Sequence, residues 1–171
     1  VLVHISRVAH EKNIDFIVES LTLVRQTVPD VLLIIAGEGP AVPHLKRLVT
    51  RLGLQDHVRF VGYLDRESTL LDCYRAGDAF VFASRTETQG LVLVSTAVMG
   101  TADVVRDVRG AAVAPDHREG FAATVVRVLS DSHYRATLAS AAPHDAAAWS
   151  AEAMAQRLLS LYDEVRGPHR A

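Results

Sequence analysis

The chain has 171 residues, of which 49% are hydrophobic, which is enough for one domain with a sizeable core. Its formal net charge of -2 offers no basic footprint for nucleic acid or an anionic membrane, and no apolar run reaches transmembrane length. The single cysteine, Cys73, excludes an internal disulfide and favours a reducing, cytoplasmic location. Because Cys73 lies in an apolar-patterned stretch, we expect a buried structural thiol and not a nucleophile.

Apolar runs and helical spacings alternate along the chain. Short apolar runs predict strands at 1–5, 31–36, 58–61, 79–82, 94–98 and 111–114. Apolar residues at helical spacing predict helices at 14–28, 45–52, 70–74, 119–129, 134–142 and 150–165, the last with Ser150 as its N-cap. This alternation predicts a Rossmann-like α/β fold, in which a parallel sheet carries helices on both faces. We interpret 1–171 as a single domain, and since it opens directly on a strand we expect it to be part of a longer protein.

Two basic residues follow the first predicted strand. Arg7 and Lys12 lie between the end of that strand and the start of the first predicted helix. A guanidinium, an ammonium and the free amides of a helix N-terminus together suit a diphosphate. The alternative is that both are ordinary solvated surface residues.

Glycines follow the second and third predicted strands. Gly37 and Gly39 lie in a tight connection that lacks the third glycine of a dinucleotide fingerprint and does not follow the first strand. We interpret it as a turn near a ligand, with pure turn geometry as the alternative. Gly62, which precedes Tyr63 and Leu64, would let a nucleobase lie flat on the backbone, although a plain strand-to-loop glycine explains it as well.

The loop after the fourth predicted strand carries an acid and a glycine. Glu87 is the only acidic residue of the segment 83–91, and its carboxylate is well placed to accept hydrogen bonds from sugar hydroxyls. Gly90, followed by Leu91, would let backbone amides approach a ligand closely, and an ordinary polar loop is the alternative. We interpret His4, inside the first predicted strand, as a satisfied core histidine. No His-x-x-x-His or Cys-x-x-Cys spacing occurs, so we expect no dedicated metal site.

Taken in order, these segments resemble one family. They are Ser-Arg at 6–7 with Glu-Lys at 11–12, Ala-Gly-Glu-Gly-Pro at 36–40, Val-Arg-Phe-Val-Gly-Tyr at 58–63, Tyr-Arg-Ala-Gly-Asp-Ala-Phe-Val at 74–81, and Ser-Arg-Thr-Glu-Thr-Gln-Gly-Leu at 84–91. The ordered set resembles the C-terminal, donor-binding domain of the retaining group 1 glycosyltransferases, which have the two-domain GT-B fold. The resemblance runs essentially from Val1 to Val165.

The resemblance implies a role for each site residue. Arg7 and Lys12 would bind the donor diphosphate and stabilise the leaving nucleotide, where negative charge develops. Glu87 would be the first acid of the family's Glu-x7-Glu pair and contact the donor sugar. Gly90 and Leu91 would add backbone amides, the segment 62–64 would hold the base, and the segment 37–39 would flank it.

The resemblance also implies substrates and partners. The donor would be a UDP- or GDP-sugar, and neither a metal nor another cofactor would be required. The acceptor, a lipid or a saccharide, would bind an N-terminal domain that this chain lacks, and any contact with a membrane would be made through that domain. The full-length protein would transfer a hexose, and the isolated chain would be inactive.

The chain departs from the family pattern after Val94. Counting eight positions from Glu87 leads to Ser95, where the family has its second acid. A parallel neighbour of the fourth strand needs a crossover of a dozen or more residues, and the Glu87 loop already uses most of the residues before Val94. We therefore expect about ten residues, including a helix, to be missing between Val94 and Ser95. Their loss would impair ribose recognition and the sugar site.

Two other functions are compatible with the same pattern. The alternative to the donor-binding half of a transferase is a non-catalytic α/β nucleotide-binding or regulatory module with an incidental anion site. A dehydrogenase fits less well, because the first βα turn has no glycine fingerprint.

Overall fold

The computed structural model describes residues 1–65, 68–84, 93–96 and 108–166, and of 93–96 it describes the backbone alone. The strands are β1 (Leu2–Ile5), β2 (Leu33–Ala36), β3 (Val58–Gly62), β4 (Ala79–Phe82), β5 (Leu93–Thr96) and β6 (Ala111–Ala114). They form a 6-stranded sheet in the order β3-β2-β1-β4-β5-β6, with every neighbouring pair parallel. This is the strand order of the doubly wound nucleotide-binding fold, and it confirms the predicted fold class.

The helices follow the predicted alternation. They are α1 (Ile14–Thr27), α2 (Val42–Arg51), α3 (Thr69–Arg75), α4 (Arg118–Ser130), α5 (Ser132–Ala147) and α6 (Ala151–Arg166), with a 3-10 turn at His10–Lys12. The amide of Ala153 donates to Ser150 Oγ at 3.2 Å, which confirms Ser150 as a cap. Asp131 caps α5 in the same way, since the amide of Tyr134 donates to its Oδ1 at 2.8 Å.

Side chains on the two faces of the sheet pack against different helices, because successive strand residues point to opposite sides. Leu33 and Ile35 share one buried core with residues of α1, α2 and α4. On the other face, Phe80 and Phe82 pack with Tyr74 of α3. The sheet is therefore covered from both sides, as the sequence predicted.

The fifth strand is present where it was predicted, with its start shifted by one residue. The sequence predicts 94–98, and β5 pairs along 93–96 with both β4 and β6, while 97–98 lie outside the described residues. β5 runs without interruption through Val94 and Ser95 in the 171-residue chain. β4 and β5 are parallel neighbours although only residues 83–92 lie between them, fewer than the dozen or more expected for a crossover, and the absence of a segment between Val94 and Ser95 stays a prediction. Position 95 lies inside the sheet.

The last helix, α6, lies apart from the core. None of its residues is buried. Its larger apolar side chains are exposed, among them Leu159 at 63% and Val165 at 76%. In the part of the chain that the structure describes, no helix is long and apolar enough to cross a membrane.

Candidate functional site

The topology places a crevice beside β1. From β1 the chain continues toward β2 on one side, whereas β4 lies on the other side, and ligands of open α/β sheets bind where the strand order reverses in this way. The two strands pair only through Leu2 with Ala79 and Val3 with Phe80. Beyond these pairs their carboxyl ends carry the loops that begin at Ser6 and Ala83.

The loop after β1 rests on the glycine turn after β2. The amide of Ser6 donates to Ala36 O at 3.1 Å, and the amide of Val8 donates to Glu38 O at 2.9 Å. A Cβ on Gly37 would lie 1.9 Å from Ser6 O, and one on Gly39 would lie 2.2 Å from Val8 O. Both glycines are therefore required by the close approach of two backbones, an explanation that neither of the sequence alternatives contained.

The predicted basic pair occupies two different environments. Arg7 is exposed on the loop, whereas Lys12 is only 7% exposed within the 3-10 turn. The picture of two surface cations is thus wrong for Lys12, whose positive charge acts on the buried His4. Both residues follow β1, so two cations lie at the carboxyl end of this strand.

The N-terminus of α1 adds to the same end of the sheet. Asn13 occupies the cap position with a left-handed φ of 53°, and its side chain makes no capping hydrogen bond. Instead Asn13 Nδ2 donates to Ala83 O at 3.2 Å, and Ser84 Oγ donates to Glu11 O at 3.4 Å. These contacts tie the loop after β1 to the exit of β4, so the start of α1 faces the crevice.

His4 forms the floor of the crevice. Its ring is fully buried, with Nδ1 2.9 Å from Val81 O and Nε2 2.8 Å from Ser6 Oγ. Because a carbonyl oxygen only accepts, Nδ1 carries the hydrogen, and neutral His4 accepts from Ser6 at Nε2. The pKa of His4 is lowered to about 4, chiefly because the ring is buried and to a lesser extent by the positive charge of Lys12, against the opposing effect of the Val81 carbonyl. This confirms His4 as a satisfied core histidine.

The loop after β3 is open to solvent. Gly62 has a φ of +71°, and the amide of Gly37 donates to its carbonyl at 2.7 Å. A Cβ on Gly62 would meet only Glu38 Oε1, at 3.9 Å. Tyr63 is 70% exposed and Leu64 is half-buried. The backbone of Gly62 thus has the space that a flat ligand needs, although its φ already favours glycine.

Some predicted site residues lie outside the described ranges, namely Glu87, Gly90 and Leu91. The structure brings together the segments that carry Arg7, Lys12, Gly37, Gly39 and Gly62. Sequence reasoning missed Glu38, whose signal was an acidic residue held between two glycines at a strand end.

Other features are distinct from this crevice. A cavity of about 630 Å³ lies between α3, α5 and the start of β4, and its lining includes Tyr74, Phe80 and Ala136. Its lining also includes the charged residues Arg75, Asp78 and Arg135, but it lies at the start of β4 and not at the carboxyl ends of the strands. Cys73 is half-buried, and burial raises the pKa of its thiol, the opposite of what activates a nucleophile. Within the described residues, no three His, Cys, Asp or Glu side chains come together to hold a metal ion.

Comparisons with known proteins agree with this geometry. Residues 1–131 match the family described as glycosyl transferases group 1. Alpha-D-kanosaminyltransferase from Streptomyces kanamyceticus is 29% identical over 177 aligned positions, which cover 96% of this chain and 46% of that enzyme. The chain therefore spans about half the length of this curated relative.

Solved structures share the fold. A mutant of TarM from S. aureus, in complex with fondaparinux, alpha-GlcNAc-glycerol and UDP, superposes with a TM-score of 0.82 at 22% identity, over 95% of this chain and 35% of that one. The C-terminal domain of the group 1 family protein LpcC from Francisella tularensis gives a TM-score of 0.70 at 21% identity, over 84% of this chain and 83% of that domain. With 131 of its 171 residues matched by the family, the chain belongs to the group 1 glycosyltransferases, and its fold is that of their C-terminal domain.

Proposed function

We propose that this chain is the donor-binding half of a retaining glycosyltransferase, which moves a sugar from a UDP- or GDP-sugar to an acceptor. The observation that carries the proposal is the loop after β1. It holds an exposed Arg7 and a buried Lys12 beside the start of α1, at the point where the strand order reverses. UDP is also a ligand in the TarM structure, which has the same fold.

The proposed chemistry follows from the charges. As the glycosidic bond breaks, negative charge develops on the departing diphosphate. Arg7, Lys12 and the first amides of α1 would stabilise that charge, and they would do so more strongly in the transition state than in the ground state. Glu87 would contact the donor sugar, while Gly90 and Leu91 would supply backbone amides to it.

A second domain belongs to the proposal. The chain spans 46% of the kanosaminyltransferase, and α6 exposes apolar side chains that a further domain would cover. The acceptor, a lipid or a saccharide, would bind on that domain. The full-length protein would work in the cytoplasm without a required metal, and any contact with a membrane would come from the other domain.

The test is the binding of UDP and of uridine to the 171-residue chain. Arg7→Ala and Lys12→Ala should each weaken UDP binding by roughly 1.5–3 kcal/mol, the contribution of a charged hydrogen bond, and leave uridine binding nearly unchanged. Calorimetric titration measures both. Because Lys12 is buried, Lys12→Met serves as a second variant that keeps the packing of its stem.

The matched control is Arg51→Ala, which removes an exposed guanidinium at the far end of α2. It should leave both affinities unchanged. Equal losses of affinity for uridine and for UDP in the Arg7 variant would contradict the assignment of Arg7 to the diphosphate.

A non-catalytic nucleotide-binding module is the second candidate. The observation that favours it is Ser95, which stands at the position eight residues after Glu87 where the resemblance implies a second acid. This module would bind UDP as above, but the full-length protein would transfer no sugar. Incubating that protein with UDP-sugars and saccharide or lipid acceptors separates the two candidates.

A further inference from the structure

Glu38 is an exposed carboxylate on a rigidly held backbone. Its carbonyl accepts from the amide of Val8, and the glycines on both sides are locked against neighbouring backbones. Its Oε1 lies 3.9 Å from the position that a Cβ on Gly62 would take, so the carboxylate lies over the end of β3. Within the described part of the chain, no cation pairs with it. A fixed main chain with an uncommitted carboxylate is the arrangement that a recognition residue needs.

The strand order determines what lies beside Glu38. The loops after β1, β2 and β3 carry Arg7, Glu38 and Gly62, and these strands are neighbours in the sheet. Adjacent strands are about 4.8 Å apart, so the three loop starts span roughly 10 Å along one edge. The residues with the guanidinium (Arg7), the carboxylate (Glu38) and the open glycine backbone (Gly62) therefore lie side by side at the ends of three neighbouring strands.

The charge of Glu38 restricts its ligand. A carboxylate accepts hydrogen bonds and repels phosphate, so the ligand group that reaches Glu38 must donate hydrogen bonds and carry no negative charge. The same ligand must place an anion near Arg7, one strand away. A nucleoside diphosphate meets both conditions when its diphosphate lies at the loop after β1 and its ribose lies over the loop after β2.

We propose that Glu38 accepts hydrogen bonds from the ribose 2′- and 3′-hydroxyls of the donor nucleotide and thereby selects ribonucleotides over 2′-deoxyribonucleotides. The inference rests on the proposed function. The two carboxylate oxygens match two vicinal hydroxyl donors, and a ribose one strand from the diphosphate leaves the base over Gly62 and beside the exposed Tyr63.

The experiment compares UDP with 2′-deoxy-UDP by calorimetric titration of the 171-residue chain. The unchanged protein should prefer UDP by about tenfold, the value of one charge-assisted hydrogen bond. Glu38→Ala should abolish this preference, because it removes the acceptor of two hydroxyls from UDP but of the 3′-hydroxyl alone from 2′-deoxy-UDP, so the affinity for UDP should fall by about tenfold more than the affinity for 2′-deoxy-UDP. Glu38→Gln, which keeps one acceptor oxygen without the charge, should reduce the preference. Circular dichroism melting checks that each variant is folded.

The matched control is Asp56→Asn, which removes one exposed carboxylate from the turn before β3, at the amino-terminal end of that strand and away from the loops of the crevice. This variant should keep the full preference for UDP. An unchanged preference in the Glu38 variants would overturn the inference, as would equal losses of UDP and 2′-deoxy-UDP. GDP and 2′-deoxy-GDP are titrated alongside, and a loss confined to the two guanine nucleotides would assign Glu38 to the base and overturn the ribose contact.

Failure of the proposed function has a different result. In that case the unchanged protein would bind neither UDP nor GDP, whatever residue stands at position 38. Binding of UDP by the unchanged protein with no effect at position 38 rejects the role of Glu38 alone.

Discussion

At the scale of single residues, the surroundings of His4 decide its charge. The ring has no contact with water, and its nearly parallel neighbours Phe80 and Phe82 lie 6.3 and 5.9 Å away between ring centroids. Ser6 Oγ lies 2.8 Å from Nε2 and 3.0 Å from the carbonyl oxygen of Arg7, so the one hydroxyl hydrogen serves one of these acceptors at a time. Neutral His4 accepts this hydrogen bond at Nε2, and the bond connects the loop that carries Arg7 to the floor of the crevice.

We predict that acidification destabilises the fold through His4. The pKa of His4 is 6.5 in the unfolded reference and about 4 in the folded chain, so the unfolded chain binds the proton more tightly. The stabilisation that neutral His4 gives to the fold is fully present above the unfolded pKa of 6.5. As the pH falls toward the folded pKa of about 4, on the order of 2–3 kcal/mol of that stabilisation is lost. Urea unfolding at a series of pH values from about 8 to about 4 measures this loss.

Two variants isolate the effect of His4. His4→Gln should flatten the part of the profile that His4 causes, whatever its effect at neutral pH. His133→Gln changes an exposed histidine and should keep the profile of the unchanged chain. Parallel profiles for the unchanged chain and His4→Gln would contradict the assignment.

At the scale of elements, the crevice is built by loops that brace one another. The loop after β1 lies on the turn after β2, and the turn after β2 hydrogen-bonds to the end of β3. Asn13 and Ser84 connect the same loop to the end of β4. The loops after β1, β2 and β3 are thus held together by backbone hydrogen bonds and joined to the end of β4 by side-chain hydrogen bonds, so a change in one loop would affect the next.

We predict unequal costs for alanine at two glycines with positive φ. Gly37→Ala places a Cβ 1.9 Å from Ser6 O, so the loop after β1 must move, whereas Gly62→Ala has open space around it. Gly62→Ala should cost about 1–2 kcal/mol of stability, the strain of a left-handed residue. Gly37→Ala should cost more and should also weaken UDP binding, because Arg7 is on the displaced loop. Urea unfolding and UDP titration of both variants test this prediction. Equal losses in the free energy of unfolding would contradict the steric role of the contact between position 37 and Ser6 O.

At the scale of the whole molecule, the proposed function makes this chain one wall of a cleft. Transfer needs an acceptor held in line with the donor and water excluded from the reacting atoms. In the proposed function, this 171-residue chain, which spans 46% of a relative and exposes apolar side chains on α6, would supply only the donor side.

We predict that the isolated chain binds UDP but transfers no sugar. In the full-length protein, Glu87→Gln should lower kcat more than it lowers donor affinity, since a contact with the sugar matters most as the bond breaks. Product formation from a radiolabelled UDP-sugar measures transfer, and the intact full-length protein is the positive control. Measurable transfer by the isolated chain would disprove the need for a second domain.

The sequence by itself determined the elements and their order. Continuous apolar runs such as 79–82 mark strands covered on both faces, and the alternation of strands with amphipathic helices leaves few topologies besides a parallel sheet. The position of Arg7 directly after a strand also followed from local pattern, as did the cap at Ser150. These features depend on residues that are close together in the sequence, within one helix or strand or at its end.

Only the tertiary structure decided the features that join distant segments. The need for glycine at position 37 comes from the backbone of Ser6, and the lowered pKa of His4 comes from its burial beside β4. The burial of Lys12 likewise excludes the alternative in which Arg7 and Lys12 are both solvated surface residues. The physical reason is that steric contact, desolvation and strand pairing depend on what the fold brings close in space, and local periodicity carries no record of those neighbours.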